Sequence, residues 1–364
     1  MVDSHERREA GMQVVVVGAG YAGMLAANRV AKKVKGARVT VVNPRPHFVE
    51  RVRLHQRIAG TAEAAAPLES MARDGVRVRV GTVEKIGDGS ALLADGTVLT
   101  YDYAFLAVGS TVRPLPGTIP VGVWEGAERA RAALATLPPG GRVTVVGGGA
   151  TGIETAAEIA ESHPALRVRI VGPHVADVFT GRARETARKG LERLGVEIVD
   201  DGVEAVADDG TVRLASGASL ASDLALWAIV SGVPALAARS GLSVDADGRA
   251  LVDACLRSVD DERLFVVGDC AAVPGARFAC ALAGPQGAHA ADTLARILAG
   301  RDPEAFSVRY LARAVTLGRH DAVGQLTERD DTLRPTRFTG RTAVVIKELA
   351  TRGGKFGART GIGG

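Results

Sequence analysis

Gln13-Val-Val-Val-Val-Gly-Ala-Gly-Tyr-Ala-Gly23 is the stretch that decides the fold. Four consecutive valines show no apolar–polar alternation, as expected of a strand buried on both faces of a parallel sheet. Gly18, Gly20 and Gly23 then form G-x-G-x-x-G, and apolar residues recur at helical spacing from Met24 to Lys33. In such a loop the first glycine allows a tight turn. The second lets backbone N–H groups approach a diphosphate, and the third lets helix and strand pack closely. The diphosphate would rest on the helix N-terminus, where unpaired N–H groups and the macrodipole favour an anion.

The same theme returns at Arg142. Val143-Thr-Val-Val146 runs into Gly147-Gly-Gly149-Ala-Thr151-Gly152, a helix carrying Glu154 and Glu158, and a strand Arg167 to Val171. Two such units in one chain make an internal duplication of a dinucleotide site. Dinucleotide folds place an acid after the second strand for a ribose hydroxyl. Here those positions are Asn43, whose amide can still hydrogen-bond a hydroxyl, and Gly172, which encodes no NADH selectivity. Arg182 and Arg184 are candidates for a 2′-phosphate, or plain helix-surface charges.

Working outward, Pro46 to Arg57 is unusually polar. Glu50, Arg51, Arg53 and His55 either face a pocket or decorate a solvated helix with i,i+4 pairs such as Arg51/His55. Val76 to Val80 and Ala91 to Leu99 read as a small antiparallel layer turning at Asp95-Gly96. Tyr103 to Ser110, including Ala107, Val108 and Gly109, reads as a buried strand and its exit, and Pro114 and Pro116 punctuate a boundary. In the second unit, Glu197 to Val199 and Thr211 to Leu214 read as its antiparallel strands, with Leu224 to Val230 closing it. Leu251 to Asp253 reads as a return strand. Leu264-Phe-Val-Val-Gly268-Asp269 is a strand that delivers a carboxylate to the ligand-binding edge of a sheet. Gln286 precedes a helix from Gly287 to Ala299, with Pro285 in its first turn. Val344, Val345, Ile346 and Leu349 form an apolar stripe on a last helix that Gly353-Gly354 ends.

Composition narrows the rest. Of 364 residues, 46% are hydrophobic and 45 are glycine, which suits two or three globular units. Met1 to Gly11 is polar, so no secretory signal is expected, and no apolar run reaches the ~18 residues of a membrane span. A cytoplasmic protein, peripheral at most to the inner face of a membrane, is the expectation. Cys255, Cys270 and Cys280 show no C-x-x-C spacing and read as small buried hydrophobes. No metal-ligating cluster is expected. From Arg334 onward seven basic residues face one acid, Glu348, in a chain of net charge +4. Such a tail would meet a membrane surface or an acidic partner, or simply be solvated. Nucleic acid is not expected, because no aromatic-plus-basic pattern accompanies the charge.

With both glycine motifs, the Leu106-Ala-Val-Gly109 strand end and Val267-Gly-Asp269 in this order, the chain resembles the pyridine nucleotide–disulfide oxidoreductase superfamily. Within it, the likeness is to type II NADH dehydrogenases and apoptosis-inducing-factor-like relatives. The resemblance implies two interleaved doubly wound α/β domains with small antiparallel layers. The FAD-binding domain would span 1–112 and 251–300, the NAD(P)-binding domain 113–250, and a C-terminal interface region 301–364. FAD would be held by Gly18, Ala19, Gly20, Tyr21, Ala22 and Gly23, with Asn43 near the adenosine ribose and Val83 near adenine. Arg51, Ala107, Val108, Gly109, Gly268, Asp269 and Gln286 would complete its site, with Asp269 on the ribityl chain. NAD(P)H would bind through Gly147, Gly149, Thr151 and Gly152, with Glu154 near the nicotinamide. A hydride would pass from NAD(P)H to FAD, and electrons onward to a quinone or other small aromatic acceptor. Glu154, Gln286, His55 and Arg53 are the residues expected to serve that chemistry. A small electron-carrier protein, a secondary metabolite or a sensing role are the alternative outlets, and a homodimer is a further expectation. The chain departs from the resemblance in four places. It has no cysteine before Cys255, which argues against thiol chemistry, and Leu282 replaces the first glutamine of the A-Q-x-x-x-Q pattern. Arg51-Val-Arg-Leu-His55 stands where a mostly apolar segment is expected, and the C-terminal region is short; these departures weaken a lipid-embedded quinone as acceptor.

Overall fold

The computed structural model describes residues 11–363; the polar start at 1–10 lies outside them, as does residue 364. Two five-stranded parallel sheets dominate, and they share one strand order. The first runs Leu264–Val266, Tyr103–Leu106, Gln13–Val17, Arg38–Asn43, Val76–Val80. The second runs Ile119–Pro120, Leu224–Trp227, Arg142–Val146, Arg167–Val171, Glu197–Val199. In each, the valine-rich strand leading into the glycine loop is central, with four consecutive residues (Val14–Val17, Val143–Val146) buried. The doubly wound fold expected from the duplication is therefore present twice.

The antiparallel layers differ from the expectation. Val76–Val80 and Glu197–Val199 do not belong to them; each pairs in parallel with the edge of its main sheet. The layers are built instead from Val83–Gly87, Ser90–Leu93 and Val98–Thr100, and from Val203–Val206, Val212–Leu214 and Ser219–Leu220. An edge strand with one open face alternates like an antiparallel one, so Val-Arg-Val-Arg-Val does not distinguish the two.

The helix expected from Gly287 begins at Cys280 and runs to Leu298, so Pro285 is interior. As the sixth residue it lies in the second turn, where its ring removes an N–H that would otherwise bond within the helix. Gly287 makes the packing possible, since a Cβ there would overlap the Ala22 carbonyl of the crossing helix Tyr21–Lys33.

Beyond residue 311, three antiparallel strands (Ala312–Thr316, Ala322–Thr327, Leu333–Thr339) lead into the helix Gly340–Thr360. Gly353-Gly354 does not end that helix. It continues to a left-handed Gly361, φ +67°. Asn28, fully buried, fixes its end by donating from Nδ2 to the Ala358 carbonyl at 2.6 Å. The last helix is inverted in polarity. Lys347, Glu348 and Lys355 point inward to Glu154, Arg53 and Glu50. Val345, Leu349 and Phe356 are 56%, 63% and 58% exposed.

Candidate nucleotide and acceptor site

The two glycine loops are superimposable in logic. At Gly18 a Cβ would overlap the Ala107 carbonyl, and at Gly23 the Gly18 carbonyl; at Gly152 it would overlap the Gly147 carbonyl. These glycines are forced by chain packing. Gly20 and Gly149 differ: a Cβ on either meets nothing within 4 Å. Their missing side chains leave open space directly at the starts of helices Tyr21–Lys33 and Ala150–Ser162. Neither helix has a side-chain cap or an acid in its first turn. Two uncapped N-termini behind Cβ-free approaches are what two nucleotide diphosphates require. The residues present fit both groups.

A cavity of about 590 Å³ lies between them. From the sequence-derived set it gathers Gly20, Tyr21, Ala22, Arg51, His55, Ala107, Gly109, Thr151, Glu154, Gly268 and Asp269. Asp269 stands at the strand end as expected. Its Oδ2 accepts from Ser110 Oγ at 2.7 Å and its Oδ1 from the Ala279 N–H at 3.2 Å. Ser110 in turn accepts from Arg51 Nη1 at 3.0 Å, and Arg51 also donates to the Gly122 carbonyl. Arg51 is thus a fixed charge of the cavity wall rather than a solvated one. Burial lowers its pKa, countered by Asp269.

Other candidates have different work. The Asn43 amide is spent on the loop: Oδ1 accepts from the Ala19 N–H at 3.1 Å and Nδ2 donates to the Arg45 carbonyl. Gln286 is 2% exposed, and its Oε1 accepts from the Gly268 N–H at 2.6 Å. It shapes the turn that presents Asp269. Arg53 donates to Glu50, Gln56 and Glu348, clamping the last helix outside the cavity. Val83 is a core residue of the first antiparallel layer, paired with Leu93. Gly18, Ala19, Gly23, Val108, Gly147, Gly149 and Gly152 do not line this cavity.

Glu154 is 7% exposed and held by groups from the C-terminal region. Lys347 Nζ pairs with its Oε1, which also accepts from the Thr316 N–H at 2.9 Å. Burial pushes this carboxyl up, but the charge and hydrogen bond of Lys347, with the Thr316 N–H, outweigh it and hold it below the ordinary range. His55 is 6% exposed, contrary to a solvated helix, and its Nε2 has no partner among the described residues. Burial pulls its pKa down to about 4, with Glu154 opposing. The imidazole is neutral at pH 7.

That shift has a measurable consequence. The unfolded state takes up the His55 proton below its ordinary 6.5, while the folded state resists until about 4. Stability present above pH 6.5 is therefore lost as pH falls toward 4, by roughly 3 kcal/mol in total. Urea denaturation of wild type and His55→Gln at pH 7 and pH 4.5 should show a flatter pH dependence in the variant. Equal slopes would remove the neutral buried imidazole from the account.

Sequence reasoning missed Lys347, Ser110 and Cys280. Lys347 was counted only as tail charge; its one local signal is a lysine inside the apolar run Ala343–Ala350. With Tyr21, Cys280 and Thr351, Lys347 also lines a second cavity of about 450 Å³ between the helices Cys280–Leu298 and Gly340–Thr360. The rest of its wall is small or apolar, including Leu25, Ala281, Gly284, Pro285 and Ala350. Of the three cysteines expected as small buried hydrophobes only Cys270 is buried; Cys255 is half-buried and Cys280 exposed, because it opens the helix at the cavity wall. Desolvation there and the Asp269 carboxylate push the Cys280 thiol up to about 11, which leaves it protonated and a poor nucleophile. All three cysteines are free thiols. Among the described residues no group of side chains could hold a metal ion, and no helix is long and apolar enough to cross a membrane.

Similarity to known proteins agrees with this geometry. An NADH dehydrogenase-like protein of Mycobacterium tuberculosis is 31% identical over 71% of this chain and 73% of its own length. The type II NADH:quinone oxidoreductase of the same organism is 29% identical over 92% and 82%. The sulfide:quinone oxidoreductase structure from Aquifex aeolicus shares the fold, with a TM-score of 0.80 at 17% identity over 96% and 92%. Residues 12–294 match the pyridine nucleotide-disulphide oxidoreductase family, and the chain belongs to it.

Proposed function

We propose that the chain is an FAD-dependent oxidoreductase that takes reducing equivalents from NAD(P)H and delivers them to a quinone or similar small aromatic acceptor. One observation carries this reading. The cavity between the two uncapped helix starts shares Tyr21, Val52, Cys280, Ala281, Lys347 and Thr351 with the second, smaller cavity. When bound, FAD supplies the two-electron relay between a reduced nicotinamide and a second substrate.

The chain's own residues do the positioning. The Gly20 loop and the Tyr21–Lys33 N-terminus would hold the FAD diphosphate, with Asp269, Arg51 and the Gly268 turn along the cavity wall. The Gly149 loop would hold the nicotinamide nucleotide. Lys347 lines both cavities and its partner Glu154 the larger one, so the pair would hold a proton close to the acceptor. The second cavity's apolar wall suits a flat, poorly soluble ring. The outward stripe Val345, Leu349 and Phe356 suits a lipid surface from which such an acceptor would come. The M. tuberculosis relative's quinone activity supports the same acceptor class.

Anaerobic titration of the purified protein with NADH and NADPH, followed by visible absorbance, tests the reading. Bleaching of a yellow chromophore is expected, with reoxidation by a short-chain quinone. A colourless protein that takes up no added FAD would sink it. Reoxidation only by an acidic carrier protein, with steep salt dependence, would replace the quinone with a protein acceptor.

A further inference from the structure

The turn after Val171 carries a charge arrangement of its own. In a dinucleotide unit, a carboxylate at this point accepts from the ribose 2′-hydroxyl and repels a 2′-phosphate. Here the position is Gly172, and a Cβ on it would stand 2.6 Å from the Gly148 backbone nitrogen. The glycine loop itself excludes an acid.

The acid that does reach this turn is Asp200, just past the neighbouring strand Glu197–Val199, and it is already engaged. Its Oδ1 accepts from the Val175 N–H at 2.9 Å and Arg188 Nη1 at 3.0 Å; its Oδ2 accepts from Arg188 Nη2 at 2.8 Å. The Arg188 hydrogen bonds hold this carboxyl below the ordinary range, against its burial. Arg184 is fixed over the same turn by a 3.2 Å bond from Nε to the Val175 carbonyl. Its Nη1 and Nη2 donate to no partner among the described residues. Among the described residues Asp200 is the only acid whose side chain bonds to this turn, and one guanidinium neutralises it while the other has its two terminal nitrogens free.

We propose that this site selects NADPH over NADH, with Arg184 gripping the adenosine 2′-phosphate and Arg188 silencing Asp200. The proposal rests on reading the second unit as the nicotinamide nucleotide site. A guanidinium whose two terminal nitrogens are free presents one bidentate edge that matches a phosphate in shape and charge, and the neutralised Asp200 no longer repels it.

Calorimetric titration of the full chain, saturated with FAD, with 2′,5′-ADP and with 5′-AMP isolates the 2′-phosphate and needs no turnover. The expected preference for 2′,5′-ADP is about 10- to 100-fold, the usual range for a charge-assisted pair. Arg184→Ala should bring the ratio close to one. Arg188→Gln should lower it too, by exposing the Asp200 charge, and should improve the KM for NADH relative to NADPH. Equal or tighter binding of 5′-AMP in the wild type overturns the proposal, as does an Arg184→Ala variant that weakens both probes alike. Binding of neither probe would instead overturn the nucleotide-site reading on which it rests.

Discussion

Gly20→Val should give a folded protein that no longer holds flavin, and Gly149→Val a folded, yellow protein that neither NADH nor NADPH reduces. Both backbones already sit where any residue can: φ −79°, ψ −170° at Gly20 and φ −80°, ψ −174° at Gly149. Neither new Cβ meets the chain within 4 Å. The loss of a better helix cap and the lower entropy of the unfolded chain nearly offset, so stability should change by no more than about 1 kcal/mol. The branched side chain instead fills the approach to the helix N-terminus, and nucleotide affinity should fall by about 100-fold or more. Gly23→Val and Gly152→Val are the contrast. There the Cβ would overlap a backbone carbonyl of the preceding loop, and neither variant should fold normally. Thermal melts, flavin absorbance and nicotinamide titration on the four proteins separate the cases. If Gly20→Val retains flavin at wild-type affinity, the diphosphate does not lie at that helix start.

What the sequence could and could not show follows from the range of the forces involved. The glycine loops were legible because turn, helix start and buried strand are specified within a dozen residues, with no alternation to confuse a doubly buried strand. The edge strands Val76–Val80 and Glu197–Val199 were misplaced because exposure of one face gives the same pattern in either pairing sense. Asn43 is expected near an adenosine ribose and Gln286 beside the flavin and its acceptor, because a polar side chain next to a glycine loop or strand end looks the same in sequence whether it serves a ligand or the backbone. Their hydrogen bonds stop at the Ala19 and Gly268 backbones that they hold in place. Direction of view was also invisible. Helical periodicity marks Val344, Val345, Ile346 and Leu349 as one stripe but does not say that the charged side of the helix faces the protein. Only the arrival of Glu50, Arg53 and Glu154 opposite that side makes the charged face the inner one.

Lys347 is the extreme case, since its partner Glu154 lies 193 residues earlier, and the pair should dominate the stability of the C-terminal region. Lys347→Met leaves a carboxylate that is 7% exposed without its cation. Removing one member of a buried pair costs about 3–5 kcal/mol, most of it the penalty of the charge left behind. Without the ammonium, burial, already the largest single influence on Glu154, is no longer outweighed, and its carboxyl shifts from below the ordinary range to above it. The sign of the pH dependence follows. In the wild type Glu154 contributes stability above its unfolded value that is lost as pH falls. In Lys347→Met the folded state binds the proton more tightly than the unfolded one, so the penalty grows as pH rises. The variant should therefore be destabilised less at pH 5 than at pH 8. Glu154→Gln on top of Lys347→Met should recover part of the loss, because a neutral amide can still accept from Thr316 without a buried charge. Urea denaturation of the two single variants and the double variant at both pH values gives the coupling directly. Additive losses with no pH dependence would mean that the ammonium and the carboxylate are each solvated, and that the last helix is held by Arg53–Glu348, Lys355–Glu50 and Asn28 instead.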